Sequence, residues 1–330
     1  MTTSLITGGA GFIGAHIGRE LIKLGHRVVV MDDLSGGFRE NLDDNIIFVQ
    51  GSIMESNLVD SLFKKYSFTY VYHLAAYAAE GLSHFIKRYN YQNNLIGSIN
   101  LINASVNHKV KCFVFTSSIA VYGRGQLPMR EEMNPAPEDP YGISKLAVEL
   151  DLKCTHEMFG LPFIVFRPHN VFGEYQNLGD KYRNVVGIFI NQLMQGVPLT
   201  IFGDGTQTRA FSYVGNIAQT IANSVNVSAA YNQIFNVGAD EIFTVAELAQ
   251  EVCNAMQIKS KIRFLPSRNE VNHAYSDHSK VRAIFGQNET VNFQEGLKRM
   301  ITWAHKAGIR KSLSFSNIEI LEKLPPVWLE

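Results

Sequence analysis

The 330-residue sequence predicts an α/β protein, a doubly wound parallel sheet with a smaller mixed α/β domain. Three observations carry that prediction. A glycine-rich turn, Gly8-Gly9-Ala10-Gly11-Phe12-Ile13-Gly14, stands between an apolar pair, Leu5-Ile6, and a helical pattern. Short apolar runs recur through the first half, separated by segments of helical periodicity. From about Phe172 the texture changes to polar loop and amphipathic helix.

In the opening unit, Ile13, Ile17, Leu21 and Leu24 fall at helical spacing, and Gly25 suits the C-terminal stop. Val28-Val29-Val30-Met31 reads as a buried strand that ends in Asp32. Strand, glycine turn, helix, strand and acid, in that order, lay out a dinucleotide site. Gly8 permits the tight turn, Gly11 lets the backbone approach a pyrophosphate, and Gly14 lets helix pack on strand. Asp32 stands where a carboxylate would hold a ribose 2′-hydroxyl and repel a 2′-phosphate, so NAD is expected rather than NADP. The spacing is G-x-x-G-x-x-G, looser than the usual dehydrogenase fingerprint.

Tyr70-Val-Tyr-His-Leu74, Cys112-Phe-Val-Phe115 and Phe163-Ile-Val-Phe166 read as further buried parallel strands, with ligands expected at their C-terminal ends. Residues 173–184 read as loop and 185–195 as helix. Thr244-x-x-Glu247 is a capping box opening another helix, and Asn292-x-x-Glu295 opens a late one ending near His305. The expected division is an NAD-binding Rossmann domain over 1–172 and a substrate domain over 173–330. Segments near 211–225 and 234–238 return to the first. Residues 312–330, with Pro325-Pro326 and Trp328, read as a tail or extra helix without an assigned role.

Tyr141-Gly-Ile-Ser-Lys145 follows Thr116-Ser117-Ser118 by about one strand and loop. Tyr and Lys four apart share a helix face, where an ammonium favours the phenolate. A phenol ionising near pH ~10 is otherwise a poor base at neutrality. With Ser118 bridging phenol and substrate, Tyr141 and Lys145 could move a proton off an alcohol while a hydride leaves the adjacent carbon.

Thirty basic residues balance thirty acidic ones, which argues against nucleic acid or an anionic membrane surface as the main partner. No stretch approaches the ~18 apolar residues of a membrane span. The sequence opens directly in strand one, so no signal peptide is expected. Cys112, Cys154 and Cys253 are widely spaced within apolar patterns and read as three core thiols of a reducing, cytoplasmic protein. The scattered histidines show no convincing metal spacing, so no metal is expected.

With these motifs in place, the chain resembles the extended short-chain dehydrogenase/reductase family, specifically its nucleotide-sugar epimerases and dehydratases. The resemblance runs on through His73-Leu-Ala-Ala76, Asn94-Leu-Ile-Gly97, Thr116-Ser-Ser-Ile-Ala-Val-Tyr-Gly123 and Arg167-Pro-His-Asn-Val-Phe-Gly173. It continues in Ile201-Phe-Gly-Asp-Gly-Thr-Gln-Thr-Arg-Ala-Phe-Ser-Tyr-Val214, Asn236-Val-Gly238 and Arg268 to Asp277. It implies that Tyr141 is the base, Lys145 its partner and a nicotinamide-ribose ligand, and Ser118 the hydroxyl relay. It places Gly8, Gly11, Phe12, Ile13, Gly14, Asp32, Ser52, Ile53 and Ala75 at the cofactor, NAD. Asn170 would touch the substrate, Asn184 and Val185 would meet the sugar diphosphate, and Arg209 and Arg268 would clamp it, as Arg suits phosphate. Two positions depart from the family pattern. Ser52 stands where an adenine-contacting Asp is usual. Asn216 replaces an Asp after Tyr213-Val214, and is expected to cap the next helix as Asp would.

Dehydratases of this group carry an Asp-Glu pair where this chain has Ser117 and Ser118, so the resemblance implies 4-epimerisation of a UDP-sugar. A nucleotide-sugar dehydratase or reductase is the alternative, with Glu80 and His84 as candidate bases. A non-catalytic NAD-sensing scaffold is the alternative from another class. Ala274 stands at the family's sugar gate, an open choice compatible with UDP-glucose, UDP-N-acetylglucosamine or UDP-glucuronate. A homodimer is expected through two helices bearing Leu95, Ile99 and Ile102, and Leu146 and Leu150. Simple core burial of these residues is the other reading.

Overall fold

A run of apolar residues with side chains alternating between two faces can only be satisfied in a sheet covered on both sides. Six such runs open the chain: β1 (Thr3–Thr7), β2 (Arg27–Asp32), β3 (Ile47–Gln50), β4 (Tyr70–His73), β5 (Cys112–Thr116) and β6 (Phe163–Pro168). The computed structural model describes residues 1–125, 127–268, 270–286, 291–311 and 315–328. In it Ile6, Val28, Val30, Val114 and Phe166 point into one core, while Leu5, Val29, Met31, Phe115 and Val165 point into the other.

The helices between these strands are α1 (Phe12–Lys23), α2 (Ser56–Tyr66), α3 (Glu80–Ser83), α4 (Lys87–Tyr91), α5 (Gly97–Asn107) and α6 (Pro140–Phe159). A π-helical turn, Gln92–Ile96, joins α4 to α5. The second core packs α2, α5 and α6 against the sheet through Phe63, Leu101 and Leu152. The first packs α1 there through Ile17 and Leu21.

Beyond β6 the chain forms β7 (Val171–Phe172), α7 (Val185–Met194), β8 (Leu199–Phe202), β9 (Thr208–Ala210), β10 (Ser212–Tyr213), α8 (Val214–Asn223) and β11 (Gln233–Val237). It ends with β12 (Ile242–Thr244), α9 (Val245–Met256), β13 (Ile262–Leu265), β14 (His273–Ala274), α10 (Ser279–Phe285) and α11 (Phe293–Ala307). The main sheet has seven strands in the order β11-β6-β5-β4-β1-β2-β3. Every pairing in it is parallel. So β11 comes back from the second half to extend the first sheet, and α8 packs beside α1. Among the small sheets, β9 lies between antiparallel β12 and parallel β14.

Capping chemistry sets the helix starts. Thr244 and Glu247 form the reciprocal box at α9, and the Asn292 side chain accepts from the Glu295 N–H at 2.9 Å to open α11. Asn216 does not cap α8. It lies inside the first turn, and its amide donates to the Val291 carbonyl at 2.8 Å, tying α8 to the chain before α11.

One further expectation is corrected, and two open readings are narrowed. Cys112 is buried and Cys253 half-buried, but Cys154 is exposed, because it faces outward on α6. Ile102 belongs to the core, and Leu95 and Ile99 pack against it, so the outward apolar residues near these helices include Ile96, Ile143 and Leu150, with Met158 and Phe159 at the end of α6. The tail is not a helix over its length. Over residues 315–328 it is an extended strap ending in a short 3-10 turn, Pro326–Trp328, and residues 312–314 and 329–330 of that expectation lie outside the described residues. Trp328 is buried against Phe85, Tyr182 and Phe202, and Glu319 accepts the Arg88 and Tyr89 N–H groups at 2.9 Å each. Among the described residues, no helix is long and apolar enough to cross a membrane.

Candidate active site

The C-terminal ends of β1, β2, β4 and β5 open into one cleft of about 460 Å³, whose far wall is built from the second half of the chain. Every cofactor and substrate position expected from the sequence lines it.

At the β1 end, Gly8 has φ +69°, and a Cβ there would stand 2.7 Å from Ala75 Cα. The turn therefore lies directly against the end of β4, which only glycine allows. A Cβ on Gly14 would meet the Gly8 carbonyl oxygen, so this glycine serves the turn itself rather than helix-on-strand packing. On Gly11 the Cβ would meet only that same oxygen, at 3.1 Å, and the turn stays open toward the cleft. Phe12 and Ile13 begin α1 beside it, and no acidic side chain occupies the first turn of that helix. Asp32 is pinned at the rim by N–H groups of Ala10 at 3.0 Å and Leu34 at 2.8 Å. Burial raises its pKa from the usual carboxylate value. Ser52 and Ile53 face the same space from the end of β3, where the Ser52 hydroxyl accepts the Met54 N–H at 3.3 Å. An open glycine turn at a helix start, with a carboxylate at the end of the next strand, fits NAD.

Tyr141 and Lys145 sit on α6, whose start is set by Asp139: its carboxylate accepts the Gly142 N–H at 2.9 Å, and Pro140 fills the first position. Asn90 donates to the Pro140 carbonyl at 2.8 Å, and Asn94 links Asn90 to the Tyr77 backbone. Ser118 begins the short turn Ile119–Val121, accepting the Ala120 N–H at 3.1 Å, and its hydroxyl lies near enough to the Tyr141 phenol to favour its ionised form. Thus the structure brings Ser118, Tyr141 and Lys145 together.

The expected depression of the phenol pKa is not found. Burial dominates and pushes Tyr141 well above its ordinary value, with the neighbouring Ser118 side chain acting in the opposite sense. Burial also lowers Lys145 to about 7. The Lys145 ammonium donates to the Thr116 carbonyl at 2.8 Å and lies over the Phe115 ring at 4.7 Å. Behind Ser118, the Ser117 hydroxyl donates to Glu149, a buried carboxylate that also pairs with Arg167.

On the far wall, Asn170 adopts φ +39° and donates to the Ala210 carbonyl at 3.2 Å. Asn184, with φ +62°, leads into α7 at Val185. Arg209 on β9 and Arg268 both face Glu270, at 3.6 Å and 2.9 Å, and Arg268 stacks on Phe202 at 4.7 Å. Ala274 on β14 is the register partner of Arg209, so the expected sugar gate adjoins the expected diphosphate clamp.

Several cleft residues carry no motif. Glu80 opens onto the cavity from the start of α3; burial, then the Asp139 carboxylate, raise it to about 7. Asp139 is itself raised to about 6, chiefly by burial. His84 packs edge-on against Phe85 and does not line the cleft. Arg183 reaches the cleft from the loop before α7 and pairs with Asp180 at 2.6 Å. The Asp-Pro pair at 139–140 was a readable helix-start signal; Glu80 stood only as a candidate base of the alternative reading, without a motif, and Arg183 had no signal.

A family model for the NAD dependent epimerase/dehydratase family matches residues 4–238. The chain is 32% identical to the UDP-glucose 4-epimerase of Thermotoga maritima, solved with UDP-glucose; the TM-score is 0.89, covering 93% of this chain and 99% of that one. A UDP-N-acetylglucosamine 4-epimerase from Methanobrevibacter ruminantium, in complex with UDP-N-acetylmuramic acid, is also 32% identical, with TM-score 0.87 over 93% and 99% of the chains. A UDP-N-acetyl-alpha-D-glucosaminuronate decarboxylase of Bacillus cytotoxicus is 30% identical over 91% of this chain and 96% of its own length. A cleft that joins a glycine turn to a Ser-Tyr-Lys set, together with these likenesses, gives the conclusion that the chain belongs to the NAD-dependent epimerase/dehydratase family.

Proposed function

We propose that this protein catalyses the 4-epimerisation of a UDP-sugar with NAD retained through the cycle. The observation that carries the reading is that Ser118, Tyr141 and Lys145 line one cleft with the glycine turn and the Arg209–Arg268 pair. Two of the relatives above are 4-epimerases, which supports it.

In this reading, Arg209 and Arg268 hold the sugar nucleotide's diphosphate, Asn184 and Val185 border it, and Asn170 meets the sugar. Tyr141 accepts the O4 proton, directly or through Ser118, as the C4–O4 bond becomes a carbonyl. When bound, NAD supplies the acceptor for the hydride released from C4 and gives it back. Lys145, anchored to Thr116, holds positive charge near the phenol and a donor for the nicotinamide ribose. The clamped nucleotide lets the 4-keto sugar turn over without leaving, and Tyr141 returns the proton to O4 of the inverted centre. The cleft's burial keeps water from the ketone.

Proton NMR of the purified protein with UDP-glucose, UDP-N-acetylglucosamine or UDP-glucuronate, without added NAD, tests this. The expected product is the galacto-configured partner of one or more of them. Because Glu80 provides a carboxyl beside Tyr141, a nucleotide-sugar dehydratase is the second reading, and a 4-keto or unsaturated product would establish it instead.

The same proposal divides the chain into a cofactor part, 1–172 with 211–225 and 234–238, and a substrate part over the rest. It places the protein in a reducing cytoplasm, which its three free thiols support. It also pairs α5 and α6 across a homodimer axis, supported by Ile96, Ile143 and Leu150, which are 48%, 42% and 51% exposed. Sedimentation at micromolar concentration tests the dimer, and a lone monomer ends that part of the proposal.

A further inference from the structure

Two anionic diphosphates must fit in this cleft if it holds both a dinucleotide and a sugar nucleotide. The cations lining it are Lys145, Lys181, Arg183, Arg209 and Arg268. Lys145 is held by the Thr116 carbonyl, and Arg209 and Arg268 share Glu270 on the far wall. Lys181 lies over the Tyr182 ring at 5.7 Å. Arg183 is placed differently. Its Nη2 stands 2.9 Å from where a Gly36 Cβ would be. Gly36 adjoins Gly37, whose own Cβ would lie 2.5 Å from the Ala10 carbonyl carbon, and the Phe38 N–H donates to the Ala10 oxygen at 3.0 Å. The guanidinium therefore overhangs the glycine turn from the opposite wall.

We propose that Arg183 clamps the cofactor's pyrophosphate against the glycine turn, so that the loop before α7 closes the dinucleotide site from across the cleft. This rests on the NAD reading of that site.

Charge balance favours the assignment. A helix start contributes only about +0.5 of an elementary charge, while a pyrophosphate carries about two negative charges, and the carboxylates of Asp32 and Asp33 stand on the same rim. A planar guanidinium offers paired donors to adjacent phosphate oxygens. The side chain is also held ready. Asp180 accepts from Nε at 2.6 Å, and the guanidinium carbon lies 4.8 Å from the Tyr77 ring centre. That leaves Nη2 directed to Gly36. The flanking residues are fixed as well: the Tyr182 N–H donates to Asp180 at 2.9 Å, and the Tyr182 ring packs on Trp328 with centroids 5.4 Å apart. A cation fixed in advance loses little freedom on binding. Asn184 follows directly, so one short segment would hold the cofactor through Arg183 and border the substrate through Asn184.

The test compares wild type, Arg183→Gln, Arg183→Lys and Arg209→Gln. NAD carried through gel filtration is measured after release, NAD affinity by titration calorimetry, and UDP affinity the same way. Arg183→Gln should lose NAD on the column and bind it on the order of tenfold or more weakly, with UDP affinity unchanged. Arg183→Lys, which keeps the charge but not the fork, should fall between. Arg209→Gln should show the reverse, weakened UDP and normal NAD. Arg183→Gln that retains NAD as wild type does would overturn the proposal, and weakened UDP in that variant would assign Arg183 to the sugar nucleotide instead. Equal loss of NAD in the Gln and Lys variants, with lowered melting temperature in both, would overturn it in favour of a merely structural role. A wild type that neither carries nor takes up NAD would overturn the cofactor reading, and this proposal with it.

Discussion

Lys145 stands one helical turn from Tyr141 on α6, yet its ammonium donates to the Thr116 carbonyl at 2.8 Å and sits 5.8 Å from the centre of the Tyr141 ring. The lysine is thus tied to the end of β5 rather than to the phenol. The side chain that favours the ionised phenol most is Ser118.

If Tyr141 handles the O4 proton, Tyr141→Phe should reduce turnover by about 10²- to 10⁴-fold, the usual weight of a positioned acid–base group. Bound NAD should be unchanged, since the ring and its packing remain. Conversion followed by proton NMR, with released NAD measured alongside, decides the matter; full turnover in the variant would remove Tyr141 from the mechanism.

Ala274 adjoins Arg209 across the β9–β14 pairing and is 8% exposed at the cleft. Ala274→Tyr should narrow the sugar end and suppress turnover of an N-acetylhexosamine substrate more than that of a plain hexose. The comparison is kcat/KM for UDP-N-acetylglucosamine against UDP-glucose. An equal loss on both would reject Ala274 as the gate.

Glu80 has a folded pKa of about 7 against an ordinary 4.5, raised by burial and then by Asp139. The folded state therefore binds this proton more tightly than the unfolded chain does. That contribution to stability is complete below about pH 4.5 and is lost as pH rises through about 7. Asp139 adds a loss of the same sign between 3.8 and about 6, whereas Lys145, lowered to about 7, adds a gain above that value. Glu80→Gln removes the first and eases the second, since the two carboxyls interact, so its melting temperature should gain on wild type between pH 4.5 and 7. Parallel melting curves across that window would show that Glu80 does not titrate there.

Trp328 carries the tail into the cleft wall. Its ring lies 6.2 Å from that of Phe202, on which Arg268 stacks, and a Cβ on Gly81 would meet it at 3.3 Å. Trp328→Ala should cost about 3–5 kcal/mol of stability, as large-to-small changes at buried aromatics do. It should also raise KM for the sugar nucleotide more than it lowers kcat. Thermal melts and steady-state kinetics provide the check, and an unchanged KM would confine Trp328 to a packing role.

Much of this molecule was legible before folding because its signals are local. The glycine turn, the strand ending at Asp32, the capping pairs at Thr244 and Asn292, and the Tyr141–Lys145 spacing each depend on a few neighbouring residues, and the structure places all of them as read. The misreadings at Asn216 and Cys154 arose where a plausible local role lost to tertiary position: Asn216 found the Val291 carbonyl, and Cys154 turned to solvent.

The sequence by itself determined the kind of fold and the Ser-Tyr-Lys set, since alternating apolar strands and helix-spaced side chains are properties of short segments. Only the tertiary structure decided which residues from distant segments share the cleft. Glu80 beside Asp139, Arg183 over Gly36, and Trp328 behind Phe202 join positions far apart along the chain. Their pKa values and contacts follow from burial and from neighbours, which no local pattern encodes. The same cause raised the Tyr141 phenol where helix spacing alone predicted a lowered one: desolvation in the cleft dominates, and the Lys145 ammonium is committed to Thr116.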